Sequence, residues 1–170
     1  SLTAFNGDGF SLGTDTTIVN ANANSYIAWQ WRESITAGLD VVSYAGTGVN
    51  RTVAHNLGVA PEMIIVKRSQ TGATSNWQVR HTSIAAANSI QLNLPNQAAA
   101  AATVWNSTAP TSSVFSLGTS TDVNASGISY VAYCFAEIAG FSKFGSYTGN
   151  GLADGPFVFC GFRPRFVMVK

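Results

Sequence analysis

At 170 residues, with 46% hydrophobic and only 10% charged residues, the chain has the balance of a folded protein and the length to bury a core. A formal net charge of +1 argues against the basic stripe that nucleic-acid binding needs, and no segment is long and apolar enough to span a bilayer. Polarity comes instead from Asn, Ser, Thr and Gly, and no Asp, Glu, Lys or Arg stands between Arg80 and Asp122. That habit belongs to secreted β proteins and fibrous assemblies more than to free cytosolic monomers, which carry a charged, mixed surface. The N-terminus lacks a basic region followed by an apolar stretch, so no signal peptide is read.

In chain order, Tyr26–Trp31 is a short run of aromatic and apolar residues, the pattern of a strand buried on both faces. Asp40–Tyr44 reads as a strand that enters the turn Ala45-Gly-Thr-Gly48, since glycine tolerates positive φ. Pro61 suits the entrance to a strand at Met63–Val66. Asn76–Thr82 and Ile90–Leu94 alternate polar and apolar residues, as half-buried strands do. Gln97–Ala102 favours one short helical turn. Tyr130–Phe135 repeats the first pattern, Ser142–Tyr147 leads into the turn Thr148-Gly-Asn-Gly151, and Pro164 introduces a strand at Phe166–Val169. Many short strands between Gly, Pro and Asn turns predict an all-β fold, a β-sandwich or jelly-roll-like one.

The chain also matches itself. Phe10-Ser-Leu-Gly-Thr14 returns as Phe115-Ser-Leu-Gly-Thr119, Val19-Asn-Ala21 as Val123-Asn-Ala125, and Ser25–Trp29 as Ser129–Tyr133. Further on, Ala37-Gly-Leu39 matches Ala139-Gly-Phe141, Ser43–Gly48 matches Ser146–Gly151, and Pro61–Lys67 matches Pro164–Lys170. The order is kept at an offset of about 104 residues, the mark of an internal tandem repeat. The expected organisation is a first copy over 1–67, an unrepeated connecting segment over 68–114, and a second copy over 115–170 that is truncated at its C-terminal end. Tyr26–Trp31 and Tyr130–Phe135 are then expected in equivalent buried strands.

No catalytic, cofactor-binding or metal-binding residue is read. The glycine-rich tetrads precede no helix pattern and lack Gly-Lys-Ser/Thr, so they are turns and not phosphate loops. His55 and His81 have no further ligands at zinc spacing, and no Gly-x-Ser-x-Gly elbow occurs. His55 is expected in a loop, its imidazole satisfying backbone groups. Glu33 and Glu137 are one repeat position seen twice, which argues for a structural ion pair, with Lys67 or Lys170, over paired glycosidase carboxylates. Cys134 and Cys160 sit in apolar runs and read as reduced, buried small hydrophobes, with a disulfide as the alternative. Trp77 and Trp105, in the unrepeated segment, are the glycan-contact candidates, against the alternative of ordinary core packing. Asn50, Asn106 and Asn124 each begin an N-glycosylation pattern.

Asp40–Gly48, Arg51–Pro61 and Met63–Arg68 together resemble a repeat domain of tailed bacteriophages. Val104–Phe115, Tyr130–Glu137, Gly140–Gly151 and Gly155–Phe159 share the likeness, which covers nearly the whole chain from about residue 10. That domain is common in virion proteins of marine and environmental phages and has no assigned reaction. The resemblance implies a non-enzymatic structural and receptor-recognition module of a tail fibre or spike, located in the virion. The second copy without its complement and the low charge predict a homo-oligomer, trimeric by analogy with phage fibres, in contact with other virion proteins and a host surface glycan. Charge and hydropathy leave out nucleic acid and membrane. The alternative is a carbohydrate-binding module attached to an extracellular or virion-borne hydrolase.

Overall fold

A computed structural model describes residues 2–14, 19–69 and 74–170. The chain divides into two compact units, Ser1–Trp31 and Arg32–Lys170.

In the first unit β1 (Leu2–Phe5) and β2 (Phe10–Leu12) form an antiparallel hairpin with an irregularity between Leu2 and Ala4. The connection closes through Asn6 N–H to the Gly9 carbonyl at 2.8 Å. Beyond it, the Asn20 amide donates to the Gly13 carbonyl at 3.0 Å, and the Tyr26 hydroxyl accepts from Ala21 N–H at 3.0 Å. Tyr26–Trp31, expected as a buried strand, forms no strand and is exposed, with Ile27 at 90%. The rings of Trp29 and Trp31 meet edge to face, 6.1 Å apart. An aromatic run states which faces want burial; neighbouring strands must supply it.

The second unit is a sandwich-like all-β body. Its strands are β3 (Leu39–Ala45), β4 (Arg51–Ala54), β5 (Met63–Arg68), β6 (Gln78–His81), β7 (Asn88–Gln91), β8 (Ala99–Ala100), β9 (Val114–Leu117) and β10 (Ser129–Phe135). Two single-turn helices interrupt them, α1 (Ala102–Trp105) and α2 (Thr121–Asn124). Six strands make one antiparallel sheet in the order β3-β10-β5-β6-β7-β8, and β4 pairs with β9 in a second, two-stranded sheet. The large sheet draws strands from all three sequence segments, 1–67, 68–114 and 115–170.

Burial on both sides explains why β5 and β10 are unbroken apolar runs. Ile64 and Val66 of β5 and Tyr130, Ala132 and Cys134 of β10 face a core that β4, β9, α1 and α2 cover with Val53, Phe115, Leu117, Trp105 and Val123. The opposite face gathers Met63, Ile65 and Val79, with Tyr133, Phe135 and Phe144 packed against them. Tyr44 stacks on Tyr130 at 5.5 Å and donates to the Val123 carbonyl at 2.8 Å; burial raises the pKa of its phenol well above the usual range. The helix expectation at Gln97–Ala102 shifts. Ala99 and Ala100 pair with Ser89 and Asn88, and the helical turn begins only at Ala102.

Two further expectations change. Gln78 and Arg80, the polar side of an alternating strand, are 3% and 6% exposed and face the main core. They are tolerated because Gln78 donates to Asp122 at 2.6 Å and accepts from the Ser89 hydroxyl at 2.7 Å, while Arg80 donates to the carbonyls of His81 and Ile84. Phe166–Val169 forms no strand. Residues 145–170 are exposed nearly throughout, with Phe157 at 89%, while the Lys170 ammonium donates to the Leu94 and Asn96 carbonyls at 2.6 Å each.

Candidate functional site

A polar cleft of about 320 Å³ in the second unit is lined by Thr74, Ser75, Asn76, Asn93 and Asp122. The strand ends place these groups. Asn93, just after β7, accepts from the Trp77 backbone N–H at 2.8 Å and donates to the Asn76 side chain at 3.0 Å. Asp122 enters from the first turn of α2, whose Ser120 cap accepts from Asp122 N–H at 3.3 Å. The Ser75 hydroxyl is buried without a hydrogen-bond partner. Trp77, next to Asn76 in sequence but not part of the cleft lining, is 36% exposed, and the Lys67 ammonium lies 5.6 Å from its ring centroid while also donating to the Ser75 carbonyl. Two amides, a carboxylate and a hydroxyl are donors and acceptors suited to sugar hydroxyls.

The two tryptophan candidates part company here. Trp105 is 1% exposed in the main core, so it presents no ring face to a ligand, and its indole N–H is buried without a partner. Trp77 keeps an exposed surface. A smaller hollow of about 110 Å³ lies at Pro61, Glu62, Arg80, Thr82 and Pro110. Its guanidinium is the buried Arg80 already described, whose pKa burial lowers.

The remaining candidates are dispersed. His55 is 5% exposed. Its Nδ1 accepts from Leu57 N–H at 3.3 Å, so Nε2 carries the proton and donates to the Thr111 carbonyl at 3.1 Å: an imidazole satisfying backbone groups, as expected. Glu137 pairs with Lys143 at 2.7 Å, rather than with Lys67 or Lys170, and accepts from Phe144 N–H at 3.2 Å. These contacts with Lys143 and Phe144 hold its carboxyl below the usual range. Both cysteines are free thiols, but only Cys134 is buried; burial, with Asp40 nearby, pushes its pKa up to about 12 and leaves it inert. Cys160 belongs to the exposed arm. Among the described residues no group of three or more His, Cys, Asp or Glu is placed to hold a metal.

His81 is the titrating group with a consequence for stability. Burial, the larger cause, lowers its pKa below 6.5, against the opposing pull of Glu62, while Arg80 lowers it further. The unfolded chain therefore binds the proton more tightly, so this contribution is complete above pH 6.5 and is lost as pH falls through the folded-state value. Urea midpoints measured between pH 8 and 5 should fall on the acid side, and His81→Gln should flatten that fall.

Asn124 is the residue that sequence reading passed over, as one of three glycosylation patterns. It is fully buried, and its amide donates to the carbonyls of Val49 and Gly118 at 2.7 Å each while its oxygen accepts from Thr47 N–H at 2.9 Å. It clamps the β3 turn to the end of β9. The signal was present in the repeated Val-Asn-Ala triplet.

The whole chain, residues 1–170, matches the model of a family described as a domain of unknown function (DUF7483). No curated protein and no solved structure matches it.

Proposed function

The chain belongs to the DUF7483 family, and from that premise we propose a non-enzymatic structural and receptor-recognition module of a bacteriophage virion appendage, built by repeating one β unit. The observation that carries the repeat is local geometry that occurs twice. Asn20 donates to the Gly13 carbonyl as Asn124 does to that of Gly118. Tyr26 accepts from Ala21 N–H as Tyr130 does from Ala125 N–H, at 3.0 Å in both. Ala23 and Gly127 share positive φ values of 62° and 72°. The exposed arm keeps the turns of its match: Gly38 and Gly140, Gly48 and Gly151, and Gly58 and Gly161 all lie between 68° and 79°. Seven of these eight residues are glycines, which take positive φ freely, so the pair with most weight is Ala23 with Gly127, where an alanine keeps a conformation L residues rarely adopt.

The virion assignment comes from the resemblance of these runs to the phage repeat domain, and low charge with exposed aromatics suits surfaces that an assembly covers. A homo-oligomer, trimeric by analogy with phage fibres, is part of the same proposal. Antibody raised against the purified chain and viewed by electron microscopy should decorate an appendage of particles whose genome encodes it. Protein abundant in the infected lysate with particles left bare would sink the reading.

One observation favours a second reading, a carbohydrate-binding module: a polar cleft that gathers the amides of Asn76 and Asn93 and the carboxylate of Asp122, with the partly exposed Trp77 next to Asn76 in sequence. Trp77→Ala should weaken glycan binding by about tenfold or more in calorimetry with a ligand chosen from a glycan array. Binding unchanged in that variant would place the ligand elsewhere.

A further inference from the structure

In the complete unit, β10 sits between two strands. Tyr130 and Val131 pair with Tyr44 and Ser43 of β3 on one side, and Val131 and Ala132 with Lys67 and Val66 of β5 on the other. Residues 10–31 match the β9–α2–β10 part of that unit, and residues 142–170 match its β3–β5 part. Each flanking segment holds the local turns of its match but has its apolar residues exposed: Ile27 at 90% in one, Val167 and Val169 at 68% and 62% in the other. The two segments are therefore complementary halves of the same sheet. We propose that residues 142–170 of one copy of this chain pair with residues 10–31 of a second copy, rebuilding the β3-β10-β5 arrangement head to tail.

The register follows from the complete unit. Tyr26 meets Tyr147, as Tyr130 meets Tyr44; Ala28 meets Val169, as Ala132 meets Val66. The clamp is rebuilt too. Asn150 N–H donates to the Asn20 side-chain oxygen, as Thr47 N–H does to Asn124.

A glycine supplies an independent sign. A Cβ on Gly46 would stand 2.2 Å from the Ala125 carbonyl oxygen, because β10's approach crosses it there, while its match Gly149 has nothing within 4 Å. The space over Gly149 is the space that Ala21 of the second copy fills. Because the contact is heterologous, successive copies join head to tail, as a closed ring such as a trimer where the rotation closes and as a line where it does not, and never as a two-fold pair.

The inference rests on the repeat reading within the proposed function, and virion labelling tests the appendage part of that proposal separately. Two single variants, Ala28→Cys and Val169→Cys, both in a Cys160→Ser background, are mixed and oxidised; only a contact between chains yields the mixed disulfide. The expected result is a heterodimer that neither variant forms alone. Adding Gly149→Leu to the Val169→Cys chain should leave its unfolding transition unchanged and cut the heterodimer by about tenfold or more, as overpacking at a tight contact does. Absence of heterodimer, or a yield indifferent to Gly149→Leu, overturns the proposal. Labelled virions with no heterodimer would leave the appendage reading standing and remove this contact from it.

Discussion

Replacing Tyr130 by alanine is expected to lower the unfolding free energy of the Arg32–Lys170 unit by about 3–5 kcal/mol. The side chain is 1% exposed at the centre of the main core, stacked 5.5 Å from Tyr44. Removing it opens a cavity under the central strand, whose two neighbours hold its backbone in register and keep it from collapsing. Its hydroxyl also donates to the Thr121 carbonyl at 2.6 Å and accepts from Ala125 N–H at 3.0 Å, so Tyr130→Phe alone should cost about 1–3 kcal/mol. Tyr26→Ala, at the matched but 47% exposed position, should cost under about 1 kcal/mol. Urea unfolding of the three variants separates these values. A loss below about 1 kcal/mol for Tyr130→Ala would place the core elsewhere. Phe135 is only partly buried, so its truncation should cost less than that of Tyr130.

The strands legible in the sequence were those whose burial leaves a long signature. β5 and β10 hold continuous apolar runs, β3 carries Val41 and Val42 between polar residues, and β6 alternates. The strand expected at Ile90–Leu94 overlaps β7 only at Ile90 and Gln91. The hairpin β1–β2 and the pair β4–β9 were not read, because strands of three or four residues such as Arg51-Thr-Val-Ala54 carry too few positions to show a period. Ala99 and Ala100 read as helix, and pairing with β7 overrode that propensity. The larger departure concerns the flanks. Tyr26–Trp31 and Phe166–Val169 carry the pattern of interior strands but lie exposed, since a pattern records the neighbours a strand is built for and not whether this chain provides them.

The candidate site was legible only in part. Trp77 and Trp105 are the same residue type in the same segment, and no local signal separates the one at 36% exposure from the one at 1%. Asn76 and Asn93 converge through strand ends 17 residues apart in sequence, a distance that a chain-order reading does not bridge. Arg80 and Gln78 were expected outside because alternation usually sends polar groups to solvent; here a chain of hydrogen bonds to Asp122, Ser89 and backbone carbonyls makes the inward face affordable.

Asn124→Ala is expected to cost about 3–5 kcal/mol, as much as losing the core tyrosine, although it removes only a small polar group. The amide is fully buried and serves three backbone partners, the carbonyls of Val49 and Gly118 and the N–H of Thr47. Truncation leaves all three without that partner inside the protein, and each such loss costs about 1–3 kcal/mol where water does not enter. Asp at this position keeps the oxygen for Thr47 but turns two donated bonds into repulsion between a carboxylate and two carbonyls, so Asn124→Asp should be no milder. The matched Asn20 donates to Gly13 in an exposed setting, and Asn20→Ala should cost under about 1 kcal/mol in the isolated chain. Under conditions where copies associate, the same Asn20→Ala change should become costly, because its oxygen then holds Asn150 of the next copy. Unfolding measured against chain concentration distinguishes the two regimes: the Asn20→Ala deficit should grow with concentration, while that of Asn124→Ala stays constant. A concentration-independent deficit for both would confine the clamp to the complete unit.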